Sequence, residues 1–376
     1  MNFDAIARYM EDVICEKHGL PGCDLTVMRE HEVLYRHTCG YADREAGRPT
    51  DPNALYYMYS CTKPMTVTAA MRLIEDGKMG LDDPVSHYLP EFGEMQVKEG
   101  DTLRPAKGVM TLRHLFTMTG GLDYTLYSPD INELLEKTEN RASTREIIAR
   151  FATRPLFFEP GERYQYSLCH DVLAAVIAEA SGMPYADYMQ KVIFDPLGME
   201  NSSFFDTPEV RERIAPLYRA QDGNAEPTEK KNVYHISTRY ESGGAGLICS
   251  LGDYIKFADT LASGGRTADD YHLLSRASID LLRTEQLTKF TKDSSFGCGA
   301  GEGYGYALGV RTRTSVATGR GSLGEFGWDG AAGSYVLIDP EEKISIFFAS
   351  HLLNWPNMIL GDHSVLRDLT YEVLGL

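Results

Sequence analysis

The sequence predicts an α+β fold. An antiparallel sheet is flanked by N- and C-terminal helices, and a mostly helical domain is inserted between its two halves. Three observations predict it. Apolar residues recur at helical spacing near both chain ends. Each end also carries β-rich runs beside polar turns. Between them, from residue 62 to about 200, helical patterns alternate with Gly/Pro punctuation. The economical division is a discontinuous sheet domain, residues 1–61 and 240–376, and an inserted domain, residues 62–239. A ligand cleft is expected at their junction, where such sites concentrate.

The first element places Phe3, Ile6, Ala7, Met10, Val13 and Ile14 on one face of an amphipathic helix. Leu25–Met28 and Val33–His37, on either side of Arg29-Glu30-His31-Glu32, read as a β-hairpin. In the middle, helices are expected at Val67–Asp76, Leu112–Met118, Arg145–Ala152 and Val172–Ala180. Near the far end, Ser334–Ile338 and Ile344–Phe348 are strands around the turn signal Asp339-Pro340-Glu341-Glu342. Asp362 then opens a last helix with Val365, Leu366, Leu369 and Val373 on one face.

Composition narrows the function class. The chain has 376 residues, 43% hydrophobic and 24% charged, which is globular and long enough for a large core without metal or disulfide staples. Its formal net charge of −17 repels phosphate backbones, so nucleic acid and anionic membrane surfaces are poor partners. No apolar run approaches the ~18 residues of a membrane span, and the first residues carry acids where a signal peptide carries bases. Seven cysteines, at 15, 23, 39, 61, 169, 249 and 298, include no Cys-x-x-Cys pair. They read as reduced, buried thiols of a cytoplasmic protein.

The chemistry starts at Tyr59-Ser60-Cys61-Thr62-Lys63-Pro64, where an extended segment turns into a helix whose first turn accommodates Pro64. Ser60 and Lys63 are three apart, so one helical turn brings them to the same face. A serine hydroxyl needs a base to become a nucleophile, and burial can lower a lysine from ~10.4 toward that role. Alone, the same spacing also fits an N-cap serine beside a surface lysine. Two further segments add weight. Glu159–Leu168 places Tyr166 in a loop just before a helix, and the glycine-dense Gly324–Gly333 runs directly into a strand.

With these residues the chain resembles the serine β-lactamase-related hydrolases: class C β-lactamases, DD-peptidases and the β-lactamase-like family VIII carboxylesterases. Thr111–Leu122, Asp195-Pro196-Leu197-Gly198-Met199 and Ser242–Leu247 resemble further segments of that family in the same order. The resemblance implies the β-lactamase/transpeptidase-like fold and gives Ser60 the role of nucleophile, with Lys63 and Tyr166 as its proton partners. The oxyanion hole would be the backbone N–H groups of Ser60 and Ala331. Trp328-Asp329-Gly330 falls where the lactamases carry Lys-Thr-Gly, and Tyr166-Ser167-Leu168 where they carry Tyr-x-Asn. Trp328, Asp329, Gly330, Leu168 and Tyr124 are therefore expected around the substrate. Loss of the lysine and the asparagine removes partners for a substrate carboxylate and a peptide-like side chain, and points to the esterase and transesterase branch.

The expected activity is cleavage of a small-molecule carboxylic ester through an acyl-enzyme, without cofactor or metal. No Cys/His metal motif is present. A DD-peptidase, a D-amino-acid peptidase or a weak β-lactamase is the same-class alternative, and a catalytically silent binding protein of the same fold the different-class one. His170, His351 and His363 lack motif context and are expected to be structural. Cys61, about 100° around the helix from Ser60, is expected to be buried and inert, and Tyr164 to pack.

Overall fold

The computed structural model describes residues 1–51, 53–228, 231–287, 303–357 and 361–376; Cys298 lies outside them. Eight antiparallel strands form the main sheet. Their spatial order is Tyr304–Tyr306, Arg311–Arg313, Phe326–Asp329, Tyr335–Asp339, Ile344–Ser350, Gly22–Arg29, Glu32–Asp43 and Arg48–Pro49. The two chain ends therefore meet at the sheet's centre, where Leu25 opposes Phe348 and Val27 opposes Ile346. The N-terminal hairpin is longer than its apolar run suggests. Its two-residue turn, Glu30-His31, has both φ angles positive (49° and 70°), the twist that suits a tight hairpin.

The sheet's two faces are packed differently. On one, Cys23, Leu25, Val27, Leu337, Ile346 and Phe348 meet the N-terminal helix through Ile6, Met10 and Ile14, and the C-terminal helix His363–Leu374 through Leu366 and Tyr371. The buried stripe of that last helix is His363, Leu366, Arg367, Thr370 and Tyr371; of the expected Val365/Leu366/Leu369/Val373 face, Leu366 is buried and Leu369 packs against the core, while Val365 and Val373 are only partly buried. Polar anchors turned it: Arg367 donates to the Tyr304 hydroxyl and the Tyr371 hydroxyl donates to Asp339. On the other face, helix Leu251–Ala262 covers the central strands. Beyond it lie Thr62–Glu75 and Cys169–Ser181, which are packed together in the larger core.

The four helices expected in the middle are found as Thr62–Glu75, Leu112–Phe116, Thr144–Phe151 and Cys169–Ser181, each close to its expected place. The segment 202–227 is not helical throughout. Ser202–Ser203 joins Ile248–Ser250 and Leu55–Tyr57 in a small sheet. Tyr218–Gln221 pairs with Leu352–Leu353. We propose the boundaries 61/62 and 239/240 as a two-domain description, with these strands stitching across it. No helix among the described residues is long and apolar enough to cross a membrane.

Candidate active site

Strand Leu55–Tyr57 delivers the chain to a tight turn. Met58 donates its N–H to the Leu247 carbonyl. Tyr59 takes φ +47°, a left-handed conformation uncommon for a bulky residue. That turn sets Ser60, half-buried, at the mouth of the helix Thr62–Glu75. Lys63 lies one turn inside and is 0% exposed. Its Nζ donates to Ser60 Oγ at 3.1 Å and to the Gly244 carbonyl at 2.7 Å, and sits 4.6 Å from the centre of the Tyr166 ring. The Tyr166 hydroxyl lies 2.7 Å from the same Ser60 Oγ. One hydroxyl oxygen therefore has a phenol and a lysine amine in hydrogen-bond contact, although 106 residues separate Tyr166 from Ser60.

Tyr166 is held by its loop and by aromatic packing. Gln165 N–H donates to the Met118 carbonyl, and Leu168 N–H donates to the Asp123 carbonyl. Trp328 stacks on Tyr166 at 5.9 Å with an interplanar angle of 8°, while Tyr124 lies 5.4 Å away on a tilt. Tyr234 packs edge-on against both Tyr124 and Tyr59. Tyr164, two residues before Tyr166, packs against Tyr306.

The strand Phe326–Asp329 runs past the turn. The Trp328 carbonyl accepts the Cys61 thiol, and Ser334 Oγ donates to the Met58 carbonyl at 3.0 Å. Gly330 is required here: a Cβ would come within 2.4 Å of the Met58 carbonyl oxygen and 2.0 Å of Ser334 Oγ. The turn is closed by Gly330 N–H to Ser334 O and Gly333 N–H to Gly330 O, with Ala331 on its exposed side.

The expected pocket residues divide. Tyr124 and Trp328 surround Tyr166. Asp329 does not face the cleft: its carboxylate accepts from Arg311 at 2.6 Å and lies 2.7 Å from His363 Nδ1, in the interior. Burial alone would raise its pKa, but Arg311 and His363 outweigh that and hold it below the usual carboxylate range. Successive strand residues point to opposite faces, so Trp328 toward Tyr166 sends Asp329 away. Leu168 is likewise buried, beside Leu122 and Phe151 beneath the loop.

The histidines occupy the interior. His170 Nε2 lies 3.3 Å from the Phe116 carbonyl, and burial lowers its pKa to about 3. His351 packs between Tyr56 and Tyr218. Cys61 is fully buried, and burial pushes its thiol up to about 12.

Sequence reasoning missed the support beneath Lys63. Asp171, buried on helix Cys169–Ser181, accepts from the Ser242 and Tyr240 hydroxyls at 2.6 and 2.8 Å. It underlies the loop whose Gly244 carbonyl receives Lys63; a Cβ on Gly244 would come within 2.4 Å of Asp171 Oδ2. Burial raises the Asp171 pKa, with the two hydroxyls and the Lys63 charge opposing it. The available signal was an aspartate directly before the apolar run Val172–Ile177, where an unpartnered charge is costly.

The sequence matches the Beta-lactamase family over residues 3–368, and the chain belongs to that family. Esterase EstB of Burkholderia gladioli is 32% identical over 275 residues, covering 66% of this chain and 68% of EstB. Protein Rv1367c of Mycobacterium tuberculosis (strain ATCC 25618 / H37Rv) is 30% identical over 364 residues, 93% of this chain and 90% of its own. Among solved structures, EstCE1, described as a hydrolase with promiscuous acyltransferase activity, superposes with a TM-score of 0.80 at 25% identity. That match covers 98% of this chain and 97% of EstCE1. The protein has the β-lactamase/transpeptidase-like fold.

Proposed function

We propose that this protein, a serine hydrolase of the Beta-lactamase family, cleaves small carboxylic esters through an acyl-enzyme on Ser60. The observation that carries the reading is the convergence of Lys63 Nζ and the Tyr166 hydroxyl on Ser60 Oγ, at 3.1 and 2.7 Å. Both distances are within reach for proton transfer. Ser60 Oγ attacks the ester carbonyl while its proton passes into the Lys63–Tyr166 pair. The backbone N–H groups of Ser60 and Ala331 take the developing oxyanion; the turn at Gly330–Gly333 does not use Ala331's N–H to close itself. Such donors are typically worth about 3 kcal/mol each. The pair then returns a proton to the leaving alkoxide, and water or an alcohol collects the acyl group.

The similarity to EstB, named as an esterase, and to EstCE1, a hydrolase with acyltransferase activity, supports esters as the substrate and an alcohol as a possible second acceptor. Ser60→Ala should abolish hydrolysis of p-nitrophenyl acetate while the circular-dichroism spectrum stays that of wild type. A fluorophosphonate probe should label the wild-type protein at Ser60 and leave the variant unlabelled. Full esterase activity in Ser60→Ala would overturn the assignment.

A further inference from the structure

Three thiols that the sequence scatters over 24 positions meet at one point. Cys15 comes from the N-terminal helical segment, Cys23 from the strand Gly22–Arg29 and Cys39 from the strand Glu32–Asp43. The sulfur separations are 2.9 Å for Cys15–Cys39, 3.3 Å for Cys23–Cys39 and 3.8 Å for Cys15–Cys23. Among the described residues no fourth cysteine, histidine or carboxylate joins the group. Cys23 and Cys39 are directly opposed in the strand pairing, and Cys15 closes the triangle from the helix packed over them. Cys23 is fully buried, while Cys15 and Cys39 are partly open and give the way in. The cluster lies on the sheet face under the terminal helices, in a core separate from the one that holds the Ser60 helix.

We propose that Cys15, Cys23 and Cys39 form a binding site for a trivalent thiophilic centre, taken up as arsenous acid. Thiol sulfur selects soft centres, and the size and charge of this site select among them. Metal–sulfur bonds are about 2.3 Å long. A planar three-sulfur complex with such bonds needs sulfurs about 4.0 Å apart, wider than any side of this triangle. A pyramidal centre carrying a lone pair, with angles near 95°, needs sulfurs only about 3.4 Å apart, within the observed range.

Charge points the same way. Arsenous acid and three thiols are neutral, and so is the tris-thiolate product. Three As–O bonds break and three As–S bonds form. Each thiol proton leaves on a departing hydroxyl as water, and no oxidation state changes. A divalent or monovalent cation bound by three thiolates would leave net negative charge in a half-buried site that already feels Glu11 and Asp24. The two basic neighbours are already engaged: His37 lies 2.9 Å from Glu11, and Arg36 pairs with Asp24 at 2.7 Å.

The test uses the full chain, kept reduced and titrated with arsenous acid at neutral pH. One equivalent should bind, with near-ultraviolet sulfur-to-arsenic absorption and three sulfur neighbours in the X-ray absorption spectrum. Cys15→Ser and Cys39→Ser should each weaken binding at least tenfold, while Cys249→Ala should not. Hydrolysis of p-nitrophenyl acetate should be unchanged in Cys15→Ser and Cys39→Ser, because Ser60 lies in the other core. The neighbour count on the wild-type protein needs no variant to fold. Two sulfur neighbours, undiminished binding in either serine variant, or absence of binding overturns the proposal. So does stoichiometric capture of Zn(II) or Cu(I) by a protein that leaves arsenous acid free.

Discussion

Lys63 is fully buried, held between Ser60 Oγ and the Gly244 carbonyl. A group so placed acts as a base only in its neutral form, and a guanidinium cannot supply one. Lys63→Arg should therefore lose nearly as much kcat as Lys63→Ala, on the order of 10³-fold for a missing general base. Steady-state kinetics on p-nitrophenyl acetate reads this directly. If Lys63→Arg kept most of its kcat, a proton-accepting lysine would be ruled out. Tyr166→Phe removes the shorter of the two contacts to Ser60 Oγ and should be similarly damaging.

At the scale of the element, the strand Phe326–Asp329 does two jobs by alternation. Trp328 backs Tyr166, and Asp329 pins Arg311 and His363 inside. Asp329→Ala would leave the Arg311 guanidinium buried without its carboxylate, a change that typically costs 3–5 kcal/mol, or about that much here. The urea midpoint should drop accordingly; an unchanged midpoint would show that the pair contributes nothing to stability. On the proposed ester-cleaving reading the same strand bears on selectivity, because the resemblance to the lactamases puts Trp328 where they carry a lysine. With an indole where a cation would bind a substrate carboxylate, an anionic substrate brings a charge that this strand does not pair. The cost is several powers of ten in kcat/KM. The expected order is p-nitrophenyl ester well ahead of nitrocefin and a D-Ala-D-Ala peptide on one enzyme preparation. A peptide or nitrocefin rate equal to the ester's would replace the esterase reading with a peptidase or lactamase one.

For the molecule as a whole, buried histidines set an acid limit. Burial lowers His351 to about 4 and His170 to about 3, so both are neutral in the native state above those values. In the unfolded chain each takes up a proton below about 6.5. The unfolded state then binds more protons, so their contribution to stability is present above that pH and is lost as pH falls toward 4. For His351 the full span is worth about 3 kcal/mol. His351→Phe should flatten the decline in unfolding free energy between pH 6.5 and 4 relative to wild type. Asp24 and Glu325, raised by burial to about 6 and about 7, act with the opposite sign, so the difference between variant and wild type is the quantity to measure. An identical slope in the two proteins would contradict the prediction.

What the sequence determined by itself was local. The hairpin near residue 30, the middle helices and the strand pair at 335–350 follow from periodicity and turn residues, which neighbours along the chain specify. The three-residue spacing of Ser60 and Lys63 is equally local, and Tyr166 was legible because a loop before a helix carried a recognisable motif. Tertiary structure alone decided the rest. Asp329 and Leu168 face inward because register and packing, not residue type, choose which side of an element meets the cleft. The C-terminal helix turned its stripe toward Tyr304 and Asp339, partners more than thirty residues away. Asp171 meets Tyr240 and Ser242 across 69 and 71 positions, and the three scattered cysteines become one triangle where the N-terminal helical segment packs over the Cys23–Cys39 strand pair. Contacts between distant residues carry no periodicity along the chain, so the folded backbone has to bring them together before their chemistry can be read.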